Sequence, residues 1–325
     1  MGAAHPDPRP MTTTLATLTV AAPDVVGPLA VFPLFGPAPE LEYVSFAEAS
    51  AGGLKVTELP DGASVNDVLV VNPLPVNVLL YEGEEMLGAQ QNRTVDAAVL
   101  VPAHGRTQVA VSCVEHGRWD GSRQDEAFTP SPQTAYPALR AAKNRRMRER
   151  MAAGAEARAD QQEVWQEVGE RMQHVDAVSP TGAMGDAFEH RRGDIERFFA
   201  GVVRRDGQCG ALVAIGGRFV VLDLVSRPDV FAALHGPLVQ GYGLDALGRT
   251  DRPAPSVEAA EAVVAAVVGA EMQTGRTAGL GTPLHFTAGR LAGTGLRVGE
   301  ELIQLSAFVA DQPRARSIRR PSQRG

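Results

Sequence analysis

Over roughly the first 120 residues, apolar positions come in short bursts separated by turn residues, the pattern of strands rather than helices. The runs at 15–20 (LATLTV), 28–35 (PLAVFPLF), 54–59, 67–72 (DVLVVN) and 77–81 (NVLLY) are dense in Leu and β-branched residues and predict strands, with one helical turn over 45–51. Two further runs, 94–101 and 107–114, flank Pro102-Ala103-His104-Gly105 and predict a β-hairpin. This region therefore reads as mainly antiparallel β, in a sandwich or a partly open barrel. Residues 120–137 have no apolar period and read as a joining loop. From 138 to 175 strong helix formers predict one long helix or two in tandem, ended by Ser179-Pro180-Thr181-Gly182. An amphipathic helix over 185–202 is expected next, then a second hairpin over 211–225 whose Gly216-Gly217 suits a type I′ turn. Helices over 229–247 and 256–271 and strands near 284–287, 289–292 and 301–309 complete the pattern. The fold class is α+β: a mainly antiparallel β N-terminal half, a long helix, then a mixed helix/hairpin C-terminal half. The organisation expected is a disordered 1–12, a β-rich 13–130, an α+β 131–310, and a basic disordered tail over 311–325.

Composition changes this picture only at its edges. A chain of 325 residues, 44% hydrophobic and 21% charged, is that of a soluble globular protein. Its net charge of −7 argues against nucleic acid as a partner of the whole chain, although the tail carries several arginines. The start of the chain lacks the basic-then-apolar pattern of a secretory signal, and no apolar run is long enough to span a bilayer. With only Cys113 and Cys209, a disulfide framework is not expected and a reducing cytoplasm is the natural compartment. The seven histidines show no metal-ligand spacing, phosphate-loop and nucleophile-elbow patterns do not occur, and the identity of any cofactor stays unknown.

The informative chemistry lies between Tyr81 and Trp119. If 102–106 closes the first hairpin, Val99 faces Val109, Ala97 faces Val111, Val95 faces Cys113 and Arg93 faces Glu115. Alternation then puts Arg93, Cys113 and Glu115 on the apolar face, where a carboxylate requires a partner. Arg93 can supply it in bidentate geometry, and Arg118 competes for it. Such a pair serves equally as a structural clasp or as part of a ligand site. Glu84, Glu85, Gln91, Asn92 and Trp119 crowd the same end with carboxylates, amides and an aromatic surface. Cys113 reads as a buried inert thiol, with a nucleophilic role requiring a cation that Glu115 would offset. Along the predicted long helix most charges read as a solvated face. Arg140 and Lys143 stand apart, because they share one face nearest the hairpin.

The segments EGEEMLGAQQNR, VLVPA and VSCVEHGRW, with QEVW, SPTGA, GDIERF and LIQLSAF further on, resemble the ADP-ribosylglycohydrolase- and rhodanese-phosphatase-associated domain family. The resemblance spans about Leu15 to Val309. It departs from the family pattern at Gln90, where a basic residue is expected, and at Gln304, where a His is common. It implies functional association with ADP-ribose-processing enzymes and a nucleotide-derived small molecule as partner, and marks Glu84, Glu85, Gln91, Asn92, Arg93, Cys113, Glu115, Arg118 and Trp119. Three functions stay open. The protein binds a phosphorylated NAD- or ADP-ribose-related metabolite through Gln91, Asn92, Arg93, Cys113, Arg118 and Trp119. Or it hydrolyses such a metabolite with Glu84, Glu85 or Glu115 as general acid or base. Or it is a non-catalytic interaction module.

Overall fold

A computed structural model describes residues 17–153, 155, 158–276 and 278–309. The ends expected to be disordered, 1–12 and 311–325, lie outside these residues. The fold is α+β, with mostly antiparallel sheets.

Three sheets organise the chain. The largest joins β1 (Thr19–Val20), β3 (Leu29–Phe35), β13 (Gln208–Ile215), β14 (Arg218–Val225), β18 (Glu301–Val309), β17 (Leu291–Val298), β16 (Thr282–Ala288) and β15 (Met272–Thr274) in that order, with β2 (Asp24–Val26) on β3. It thus unites the first strands of the chain with the last. A three-stranded sheet is β10 (Val99–Val101), β7 (Asn77–Leu80) and β4 (Tyr43–Ser45). The third runs β12 (Thr129–Thr134), β8 (Glu84–Leu87), β9 (Arg93–Val95), β11 (Arg106–Cys113), β6 (Asp67–Val71) and β5 (Lys55–Thr57).

Period-two alternation explains how the large sheet is covered. Leu29 and Val31 face a core shared with α6 (Pro228–Ala246), while Ala30 and Phe32 face one shared with α7 (Val257–Val268). A third core, built from Phe46, Val68, Val70, Leu80, Val95, Val109 and Val111, lies among the small sheet, the six-stranded sheet and α1 (Phe46–Ala51). Ser45 caps α1 by accepting the Glu48 N–H. The fourth core gathers α2 (Pro137–Ala152), α3 (Gln161–His174), α4 (Met184–His190) and α5 (Arg192–Gly201) around Tyr136, Leu139 and Val164.

The second hairpin forms as expected, with Gly216 and Gly217 both at positive φ. The segment 138–175 resolves into two helices in tandem, α2 and α3. Three expectations are corrected. The 94–101 run is not one strand. β9 pairs β11, whereas β10 leaves to pair β7 in another sheet, and the first half of β11 pairs β6. The run is broken only at Asp96, and one polar residue sets no period that would reveal this division. The change of sheet falls at Asp96, a buried carboxylate that accepts from Ser112 Oγ at 2.6 Å and meets Lys143 Nζ at 3.2 Å. Second, the loop at 120–137 contains β12. Its Pro130 and Pro132 are tolerated because β12 is the edge strand of its sheet and is irregular between Pro130 and Thr134. Third, the helix over 185–202 breaks at Arg191 into α4 and α5.

Candidate functional site

Within β9 and β11 the partners are Val95 with Val111 and Arg93 with Cys113, two residues from the register expected. A shift of two keeps every side chain on its face; Arg93, Cys113 and Glu115 are buried, and so are Thr94, Ser112 and Val114 of the opposite parity, so both faces are covered here. It does change their partners, and the expected Arg93–Glu115 pair does not form. Arg93 Nη2 lies 3.4 Å from Glu58 Oε1, and Nη1 donates to Gln91 Oε1 at 2.7 Å. Burial nevertheless raises the Glu58 carboxyl above its ordinary value. Its Oε2 and the Arg93 Nε lack hydrogen-bond partners among the described residues.

Glu115 is held by the competitor. Its Oε2 lies 2.7 Å from Arg118 Nη2 and accepts the Asn92 N–H at 3.1 Å, and its Oε1 accepts from Thr181 Oγ1 at 2.9 Å. Burial pushes this carboxyl up, but Arg118 and these hydrogen bonds outweigh it and hold Glu115 below the usual range. Arg118 also donates to the Ala89 carbonyl and to Asn92 Oδ1, which accepts the Gly88 N–H as well. Gln91 Nε2 donates to the Glu115 carbonyl. Gln91, Asn92, Arg93, Glu115 and Arg118 therefore form one network around the turn that follows β8. Trp119 is half exposed, with the Arg93 guanidinium 5.7 Å from its ring centre. Burial pushes the Cys113 thiol up, the state of an inert cysteine.

The remaining glutamates differ in kind. Glu84 Oε2 accepts the Tyr81 N–H at 2.6 Å, closing a local turn, and burial raises its carboxyl to about 8. Glu85, on the opposite face of β8, uses Oε2 to accept from both Ser131 Oγ and Gln133 Nε2 at 2.7 Å. Its Oε1 is buried with no hydrogen-bond partner among the described residues. Burial raises this carboxyl to about 7, against the lowering by Ser131 and Gln133, and the charges of Glu115 and Asp186 raise it further. Glu85 is the carboxylate of the set that is both unsatisfied and poised near neutrality.

Beside Glu85 opens a cleft of about 540 Å³, whose walls include Leu87 and Asn92 of the motif, Pro132 and Gln133 of β12, and Phe188, Phe199 and Gln240 of the helices. The motif itself seats the far wall. Gly117 donates to the Thr181 carbonyl and Met184 to the Val114 carbonyl, and Glu115 bridges to Ala183, which fixes the start of α4 against the strand. Part of this cleft is visible in the sequence. SPTGA and GDIERF are among the family-like segments, but Gln133 and Gln240 carry no signal, since their roles depend on β12 and α6 meeting.

A second polar cluster is fully enclosed. Arg140 Nη1 and Nη2 donate to Asp223 at 3.0 and 2.6 Å, and Nε donates to Glu82 at 2.9 Å. The hydroxyls of Tyr81 and Tyr242 donate to Asp223, and Ser306 Oγ accepts from Arg140. Gln304 donates to Ser306, so the position where the family pattern has a His adjoins this network. Arg140 is legible in the sequence as a special position, whereas Glu82 and Asp223 are not. Among the described residues no group of three or more His, Cys, Asp or Glu is arranged to hold a metal, and no helix is long and apolar enough to cross a membrane.

A family model described as the ARG and Rhodanese-Phosphatase-superfamily-associated Protein domain matches residues 17–308. Neither a curated protein nor a solved structure gives a significant match.

Proposed function

This chain belongs to the ARG and Rhodanese-Phosphatase-superfamily-associated Protein family, and we propose that it binds a small, nucleotide-derived molecule of the ADP-ribose or NAD kind in the cleft beside Glu85. The observation carrying this reading is the contiguity of cleft and motif. Asn92, at the centre of the family-like network, lines the cleft next to Gln133, which holds Glu85. A volume of about 540 Å³ is that of a small-molecule site. Phe199, half exposed, offers a face for a base or sugar, Asn92, Gln133 and Gln240 offer amides for hydroxyls and base edges, and Arg192, paired with Glu189, is the cation of the described lining. Gln91, Arg93, Cys113, Glu115, Arg118 and Trp119 then act as the frame that positions Asn92. The family name, which records association with ARG and rhodanese-phosphatase enzymes, supports the ligand class.

Calorimetric titration with ADP-ribose, NAD and ribose 5-phosphate tests the reading. Phe199 is 47% exposed, so Phe199→Ala should leave stability within about 0.5 kcal/mol while weakening binding roughly fivefold, by loss of about 1 kcal/mol of aromatic contact. Absence of heat with all three compounds, or equal affinity in the variant, would sink it. A hydrolytic reading is favoured by one observation, the unpartnered, near-neutral carboxyl of Glu85, which suits a general acid or base better than Glu84 or Glu115. It requires product formation from the bound compound that Glu85→Gln abolishes.

A further inference from the structure

The cleft lining is acidic on balance and points away from phosphate. Asp186, Glu189 and Glu196 line it against the single lining cation Arg192, and Arg192 is already paired with Glu189. Acidic residues alone do not make a site. The second observation is Glu85: it is 1% exposed, and its Oε1 has no partner among the described residues. A buried carboxylate oxygen left unpaired is costly unless something donates to it. That oxygen faces the gap left by the absent side chain of Gly185, a cleft residue. A Cβ built on Gly185 would stand 3.9 Å from Glu85 Oε1 and 3.4 Å from Gln133 Nε2. Glu85 is not itself a lining residue; Gly185, which carries no side chain, lies between the cleft and this unsatisfied acceptor, with Asp186 on the adjoining residue.

We infer that the Gly185 gap is a subsite for a positively charged N–H donor, a guanidinium or ammonium group, which Glu85 accepts as its hydrogen-bonding and charge partner and Asp186 attracts. The inference takes from the function proposed above only the cleft itself. A cation satisfies both features at once, donating to Oε1 and neutralising the acidic lining. With Glu85 ionised, a phosphate at the same place would face an acceptor with an acceptor. Gly185 lies in the first turn of α4 outside the positive-φ region, so alanine fits its backbone and favours the helix. An added methyl there stands in ordinary contact with its neighbours, so it blocks the gap without straining the fold.

The experiment uses the full chain and titrates agmatine, putrescine and N-butylurea, the last a neutral control, with ADP-ribose in parallel. Wild type should bind agmatine or putrescine and not butylurea. Gly185→Ala and Glu85→Gln should each weaken cation binding by about ten- to a hundredfold, the worth of one charge-assisted hydrogen bond, with unchanged or raised melting temperatures. Should Glu85→Gln fold poorly, Gly185→Ala decides alone. No binding of either cation, or equal binding in Gly185→Ala, overturns the subsite. ADP-ribose binding without a cation response leaves the cleft as a ligand site and removes the cation. Cation binding lost in Gly185→Ala, without ADP-ribose binding, keeps the subsite and removes the nucleotide reading.

Discussion

Arg140→Ala is expected to destabilise the protein by about 3–5 kcal/mol, the cost of removing one partner from a buried ion cluster. Arg140 is fully buried and is the cation that both Glu82 and Asp223 contact. Burial by itself would raise the Asp223 carboxyl, and Arg140, with the Tyr242 and Tyr81 hydroxyls, holds it below its ordinary value. Truncation leaves two carboxylates facing each other without a counter-charge. Glu82 Oε1 already lacks a hydrogen-bond partner among the described residues, so the cluster has no spare donor to compensate. Urea unfolding of wild type and variant measures the difference. Arg145→Ala, which removes a half-exposed arginine paired with Glu163 on the same helix pair, should cost about 0–1 kcal/mol. A triple variant, Arg140→Met with Glu82→Gln and Asp223→Asn, should recover much of the loss, because the charges are then removed together. If Arg140→Ala lies within about 1 kcal/mol of wild type, the cluster is not a keystone of the fold.

The second large effect is with pH. Glu85 and Glu84 stand at about 7 and about 8 in the folded protein, raised from an ordinary 4.5 chiefly by burial. Between 4.5 and these values the unfolded chain has released the two protons that the folded chain keeps. Stability therefore falls as pH rises through this window, is fully present below it, and becomes level again above about 8. For Glu85 the gap corresponds to an order of 3 kcal/mol at about 1.4 kcal/mol per unit. Glu85→Gln, which carries no proton to lose, should be more stable than wild type above neutrality and similar to it near pH ~4. Chemical unfolding from about pH 4 to about pH 9 checks this. A Glu85→Gln curve parallel to wild type throughout would mean that Glu85 ionises as freely in the folded state as in the unfolded one.

Side-chain parity is legible in the sequence. Alternation places Arg93, Cys113 and Glu115 on a buried face, and the two-residue register shift preserves that because parity repeats every two residues. The Gly216-Gly217 turn and the helical turn that becomes α1 are likewise legible, since each rests on local backbone preference. Among the candidate glutamates the sequence offers no choice. Glu84 and Glu85 are adjacent and chemically identical, and only the strands and helices around them make one a turn cap and the other an unsatisfied acid beside a cleft.

What the sequence determined by itself was the α+β class, the family-like stretch from Tyr81 to Trp119, and which residues had to find partners inside. Identity of those partners belonged to the tertiary structure. Glu58 for Arg93, Asp223 and Glu82 for Arg140, and Asp96 for Lys143 are long-range choices, whereas Arg118 for Glu115 is a neighbour three residues on that the sequence already offered. A charge demands compensation wherever it is buried, which residue type and periodicity reveal. Which opposite charge arrives depends on how sheets divide and helices pack, and nothing local to the residue encodes that.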